Sequence, residues 1–299
     1  MGQALNRRAF TMLATGAMLA PAWAQQKEGG FITNVIPQSG ERIPAVGLGT
    51  AVNFNTADAE TERKASEVVA ALVAGGGRLI DTASSYRDAE RVIGNVVASA
   101  GLRDKLFIAT KLQSPNADEL RLSRERLKTD KLDLLQLHNV RNPEQSLAEF
   151  KAWQKDGICR YIGITSTSHA AFPAVEAVLL REKPDFLQVD YSLDDREAET
   201  RLMPAAAEVK AAVLTALPFG RGRLFRAVRD KPLPDWAKEF DATSWAQFFL
   251  KFLLGDERVT AVIPGTADAR HMADNLGAAR GRLPDAEMRK RMVALLDTL

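Results

Sequence analysis

The chain has 299 residues, 46% hydrophobic and 26% charged, with 40 Lys+Arg against 38 Asp+Glu, three histidines and one cysteine. So small a charge excess argues against a nucleic-acid binder, which needs a basic surface to neutralise phosphates, and the lone Cys159 excludes an intrachain disulfide. The length suits one α/β barrel, a fold of typically ~250 residues.

Residues 1–24 read as a leader. Arg7 and Arg8 stand directly before the apolar run "TMLATGAMLA", and Ala22-Trp23-Ala24 fits the small-x-small pattern that a signal peptidase cuts. Paired arginines before a mildly hydrophobic stretch are the signature of twin-arginine export, which would deliver a folded protein to the periplasm. The other readings are an ordinary secretory signal or an uncleaved anchor, but the run is shorter than the ~20 residues a bilayer span needs. The leader carries two bases and no acid, so residues 25–299 are formally neutral. No later stretch is apolar and long enough to span a membrane, so stable insertion is not expected after cleavage.

Residues 31–43, "FITNVIPQSGERI", read as two short strands around a Ser39-Gly40 turn, a hairpin that would close the bottom of a barrel. Beyond it, short apolar runs rich in β-branched residues alternate with stretches of helical period, the mark of βα units on a parallel sheet. The strand runs fall at 45–50, 78–83, 106–111, 132–138, 161–166, 185–192, 211–218 and 260–266. Helical stretches fall at 57–74, 88–100, 117–128, 145–156, 169–181, 198–209 and 244–254, and the tail 284–298 reads as a final helix. Eight such strands predict a closed (β/α)₈ TIM barrel, with residues 25–299 as its single domain. An open dinucleotide-binding sheet would carry G-x-G-x-x-G after its first strand, where this chain has "AVNFNTAD". The loop after the seventh strand looks short, which implies an open substrate pocket.

Active sites of such barrels sit at the C-terminal ends of the strands. The second strand ends in Asp81 and feeds the loop bearing Tyr86; the third ends in Lys111, the fourth in His138, the fifth in Thr165 and Ser166, and the sixth carries Gln188. Taken singly, Asp81 could be a helix cap, Lys111 a solvated strand end and His138 a satisfied rim histidine. Jointly, an acid, a tyrosine, a lysine and a histidine at adjacent strand ends point to proton-transfer chemistry.

The segments "GGGRLIDTASSY", "ATK", "DLLQLH", "GICRYIGITS", "LQVDYSL" and "AVIPGT" occur in the order and spacing of the aldo-keto reductases, which the chain resembles from about 43 to 280. The resemblance implies a catalytic tetrad of Asp81, Tyr86, Lys111 and His138 and an NAD(P)H-dependent reduction of an aldehyde or ketone. Reducing a carbonyl leaves an alkoxide that needs a proton as it forms. An ordinary phenol, with a pKa near ~10, is a poor partner for reversible transfer at neutral pH, and an ammonium beside it stabilises the phenolate. Tyr86 would then be the proton donor, Lys111 the ammonium, Asp81 its anchor, and His138 the donor that orients the carbonyl.

The same resemblance implies that Thr165, Ser166 and Gln188 hold the nicotinamide carboxamide. Leu217, Pro218, Phe219, Gly220 and Gly222 would cradle the pyrophosphate, and Pro264, Gly265, Thr266, Arg270 and Asn275 would bind the adenosine end. Arg270 could pair bidentately with a 2′-phosphate, which favours NADPH over NADH; it could equally be a solvated helix-start residue. Three positions depart from the family. Ser166 replaces an asparagine, Ala216 stands where an aromatic ring often stacks under the nicotinamide (with Phe219 as a substitute), and Arg87 follows the tyrosine where glycine is common. Phe54, Arg87, Asn139 and Trp236 are the candidate walls of the substrate pocket. The resemblance implies a monomer, and the twin-arginine signal leads to the expectation of a cofactor held tightly or regenerated in place, since an exported enzyme meets little free NADPH. Two other functions are open: a cofactor-binding redox sensor or partner subunit with little turnover, and a Schiff-base lyase or aldolase using Lys111. The second conflicts with Asp81, which favours the ammonium over a nucleophilic amine.

Overall fold

The computed structural model describes residues 30–298, so the leader lies outside the described residues. Two antiparallel strands come first, β1 (Thr33–Val35) and β2 (Arg42–Pro44). Between them the chain reverses through Gly40 at φ 78°, a left-handed turn that glycine adopts without a Cβ penalty.

Eight parallel strands follow: β3 (Leu48–Gly49), β4 (Leu79–Asp81), β5 (Phe107–Leu112), β6 (Leu132–Leu137), β7 (Cys159–Ser166), β8 (Phe186–Asp190), β9 (Ala212–Ala216) and β10 (Val259–Val262). They pair in sequence order. Bridges Val46↔Val262 and Gly49↔Gly265 join the first to the last and close the barrel. A Cβ on Gly49 would lie 2.8 Å from the Ile263 carbonyl oxygen, so the seam requires glycine there. β4, β5, β6 and β8 are buried along their whole length, which is why they read as continuous apolar runs.

The outer layer comprises α1 (Ala59–Ala74), α2 (Ala89–Ser99), α3 (Ala117–Leu127), α4 (Ala148–Lys155), α5 (Phe172–Glu182), α6 (Leu202–Glu208), α7 (Arg223–Ala227), α8 (Trp245–Leu254), α9 (Ala269–Gly277) and α10 (Ala286–Leu296). In α1, Ala65, Val68, Val69 and Leu72 form the buried stripe at helical spacing. Asp58, Asn116, Ser244, Asp268 and Asp285 cap their helices by accepting backbone N–H bonds. Among the described residues, no helix is long and apolar enough to cross a membrane.

The apolar residues divide into two clusters. One fills the annulus between strands and helices. The other fills the barrel with Leu79, Phe107, Leu134, Tyr161, Phe186 and Leu214, and includes Ile36 and Ile43 from the hairpin. The hairpin is therefore a plug, pinned by Asn34 Nδ2 donating to the Val259 and Thr260 carbonyls and Tyr161 Oη donating to Glu41 at 2.6 Å.

One expectation needs correction. Residues 217–244, expected as a short loop, form a folded excursion with α7 and a 3₁₀ segment at Asp235–Phe240. Leu224, Val228, Ala237 and Phe240 are buried there, so the segment has its own apolar anchors. Residues 269–277, within the stretch expected to bind the adenosine end, form α9.

Candidate active site

Asp81 closes β4 and Lys111 lies on β5, one strand over. Both are buried, and Lys111 Nζ donates to Asp81 Oδ2 at 2.6 Å and to the Thr82 carbonyl at 2.7 Å. Gln136, on the inward face of β6, donates through Nε2 to Asp81 Oδ1 (3.3 Å) and Gln188 Oε1 (3.0 Å), and Gln188 Nε2 donates to Asp81 Oδ2 (3.3 Å). Burial alone would lower Lys111, but the Asp81 carboxylate and the Tyr86 phenol hold it above the ordinary lysine value, so it stays an ammonium. Burial raises the Asp81 carboxyl, opposed by that ammonium and the two glutamine amides.

The turn after β4 carries Tyr86 over this pair. Thr82 N–H donates to the Ala109 carbonyl, Ser84 N–H to the Lys111 carbonyl and Tyr86 N–H to the Ala83 carbonyl. The loop thus follows the edge of β5, and the Tyr86 ring centroid lies 5.0 Å from Lys111 Nζ. His138 directly follows β6 and meets the Tyr86 ring edge-on at 5.7 Å. Burial first, then the charges of Lys111 and Arg141, push the imidazole down to about 4, so it is neutral near pH 7. Asp81, Tyr86, Lys111 and His138 thus converge on one rim.

Arg87 is exposed and sits at φ 50°, in the left-handed region. That backbone explains why glycine suits this position. Asn139, at φ 56°, donates its N–H to Thr165 Oγ1 at 2.9 Å and ties the His138 loop to β7.

The proposed nicotinamide residues lie beside this group, all nearly buried. Thr165 Oγ1 is taken by Asn139, Ser166 Oγ faces the Ser168 backbone, and Gln188 is built into the floor under Asp81. In the Leu217–Gly222 loop, Leu217, Gly220, Arg221 and Gly222 all have positive φ, a backbone able to turn successive N–H groups towards an anion. A Cβ on Gly220 would lie 2.4 Å from Asp194 Oδ1, so the loop packs directly on the chain after β8. Pro264, Gly265 and Thr266 follow β10, where Thr266 Oγ1 accepts from Asp268 N–H. Arg270 is fully exposed in the first turn of α9 and pairs with the capping Asp268 at 2.7 Å; Asn275 is buried further along that helix.

Two pocket assignments are corrected. Phe54 is wholly buried in the annular core, so it walls no open pocket. Trp236 packs on Phe240 and Phe248 under the Arg291 guanidinium, in the helical layer. Phe219, the proposed stacking substitute, is half-buried and sits 4.8 Å from Phe225, which in turn meets Phe249. A cavity of about 380 Å³, with Ser84, Ser85, Gln113 and Arg126 in its lining, lies on the adjoining surface. Sequence reading missed Gln136 and Gln113. The alternation of "LDLLQLH" puts Gln136 on the same face as His138 and could have found it; nothing local links Gln113 to a histidine one strand away.

A closed barrel with a buried lysine–aspartate pair under a tyrosine defines the class. The pattern of the Aldo/keto reductase family matches residues 45–293. The chain is 30% identical over 260 residues to methylglyoxal reductase YeaE of Escherichia coli, covering 82% of this chain and 89% of that protein. It is 29% identical over 269 residues to methylglyoxal reductase DkgB of Yersinia pestis, covering 85% and 93%. An aldo-keto reductase from Klebsiella pneumoniae, solved in complex with NADPH, superposes with a TM-score of 0.72 at 23% identity, covering 89% of this chain and 95% of that one. The chain belongs to the aldo/keto reductase family, and with it to the oxidoreductases that reduce carbonyl groups with a nicotinamide cofactor.

Proposed function

We propose that the protein reduces a small aldehyde or ketone to an alcohol with NADPH, with Tyr86 as the general acid. The observation that carries this reading is the buried Lys111–Asp81 pair beneath the Tyr86 ring. NADPH, held by the residues beside β7 to β10, would supply the hydride for the carbonyl carbon. The Tyr86 hydroxyl gives its proton to the carbonyl oxygen as the C–O bond becomes single, and the Lys111 charge stabilises the phenolate left behind. Neutral His138 donates a hydrogen bond to the same oxygen and fixes its position. Asp81, held by two glutamines, keeps Lys111 charged, which also disfavours a Schiff-base role for that lysine.

The left-handed Leu217–Gly222 loop fits a pyrophosphate, and Arg270 fits a 2′-phosphate once it leaves Asp268. The NADPH complex of the Klebsiella relative supports the same cofactor. Two relatives are methylglyoxal reductases, which makes methylglyoxal the first substrate to assay. NADPH oxidation across a panel of aldehydes and ketones tests the reading. Inert wild type that nevertheless binds NADPH would favour a cofactor-binding sensor. The twin-arginine leader supports export to the periplasm with cofactor already bound. Replacing Arg7 and Arg8 by lysine should leave the protein in the cytoplasm on fractionation, and unchanged delivery would refute that route.

A further inference from the structure

His138 meets two side chains through a single ring nitrogen. Gln113 Nε2 lies 2.6 Å from Nδ1, Ser85 Oγ lies 3.3 Å from it, and Gln113 Nε2 also donates to Ser85 Oγ at 3.0 Å. An amide nitrogen has only protons to offer, so the Nδ1 it faces must accept. In a neutral imidazole the remaining proton then sits on Nε2. The Gln113 main chain, rather than its carboxamide, is anchored from behind. Glu119 Oε1, in the first turn of α3, accepts from Gln113 N–H at 3.0 Å and from Ser84 Oγ at 2.5 Å, which links Gln113 to the loop that carries Ser85 and Tyr86.

We propose that Gln113, assisted by Ser85, is a positioning residue that fixes the Nε2–H tautomer of His138. The consequence for turnover rests on the carbonyl-reductase reading above. The chemistry is directional. A carbonyl oxygen gaining negative charge needs donors from both Tyr86 and His138, and the Nδ1–H tautomer would turn a lone pair towards it. The reverse orientation of the Gln113 amide would set Oε1 against Nδ1 and demand that other tautomer, so the two arrangements differ in an observable proton.

The test uses ¹⁵N-imidazole NMR of the full protein at neutral pH, with His138→Asn assigning the signals, alongside NADPH-dependent turnover of methylglyoxal. Wild type should show a non-protonated Nδ1 and a protonated Nε2. Gln113→Glu, whose carboxylate can only accept, should place a proton on Nδ1 and lower kcat about a hundredfold, the scale of losing one donor to a developing oxyanion. Gln113→Met should give mixed tautomers and a loss of about tenfold, mostly in kcat, because ground-state binding is kept. Gln113 is exposed, so neither change threatens folding. A protonated Nδ1 in wild type, or a Gln113→Glu protein with the wild-type pattern, overturns the proposal. Wild type with the expected nitrogen pattern but no turnover of any carbonyl upholds the tautomer assignment and refutes the proposed reaction.

Discussion

His138 and Arg87 show how single residues are set by their surroundings. Burial and the charges of Lys111 and Arg141 push the His138 imidazole to about 4, below its ordinary 6.5. Between those values the unfolded chain binds the proton and the folded one does not, so stability falls as pH drops from 6.5 towards 4. The contribution is at most ~3 kcal/mol. Urea midpoints at pH 7 and 4.5 should therefore drop further for wild type than for His138→Gln, and equal drops would remove His138 as a cause. Arg87 holds a left-handed backbone at φ 50°. Arg87→Gly should raise stability by roughly 0.5–1 kcal/mol, as strain relief outweighs glycine's entropy cost. If Arg87 also attracts acidic substrates, the KM for a carboxylate-bearing aldehyde should rise in that variant more than the KM for a neutral one. The positions of Asp81, Lys111 and His138 were legible because strand periodicity and the barrel rule place them at strand ends, with Tyr86 in the loop that β4 feeds; their joint role came from the family resemblance. Phe54 and Trp236 were not legible, because a ring next to a site in sequence goes wherever the apolar layer takes it.

At the scale of elements, the hairpin and α9 each connect local sequence to a task. Ile43 is buried in the barrel interior beside Phe107, Tyr161 and Phe186 in the same cluster, so the hairpin contributes core. Ile43→Ala should cost about 2–5 kcal/mol, the range for deleting a buried aliphatic side chain, read as a lower denaturant midpoint. A loss under 1 kcal/mol would mean that the plug is ornamental to stability. In α9, Arg270 is fully exposed and paired only with the capping Asp268 among the described contacts. Exposed pairs of this kind are weak, so Arg270 can exchange Asp268 for a phosphate. Arg270→Ala should raise the Kd for NADPH about tenfold, the order of one charge-assisted pair, while leaving NADH binding unchanged. Equal loss of both would remove the 2′-phosphate contact. The eight strands and most helices were readable from apolar periodicity. The 217–244 excursion was not, because its prolines, glycines and scattered apolar anchors carry no regular period.

For the whole molecule, the barrel supplies what no single element can. Closure at Gly49 and Gly265 brings Asp81, Lys111, Gln136 and Gln188 from four strands into one buried floor. Tyr86 and His138 stand above it on loops pinned to the strand edges. That floor was only half visible in sequence: the ends of strands mark the acid and the lysine, and Gln188 was singled out for the cofactor, while side-chain hydrogen bonds across strands depend on register and stagger. The central claim is that this floor charges Lys111 so that Tyr86 can deliver a proton, and Tyr86→Phe tests it directly. Compared with wild type, NADPH oxidation with methylglyoxal should fall by about 10²–10⁴-fold, the contribution of a general acid, with NADPH affinity unchanged. A Tyr86→Phe protein that turns over at the wild-type rate would contradict the account.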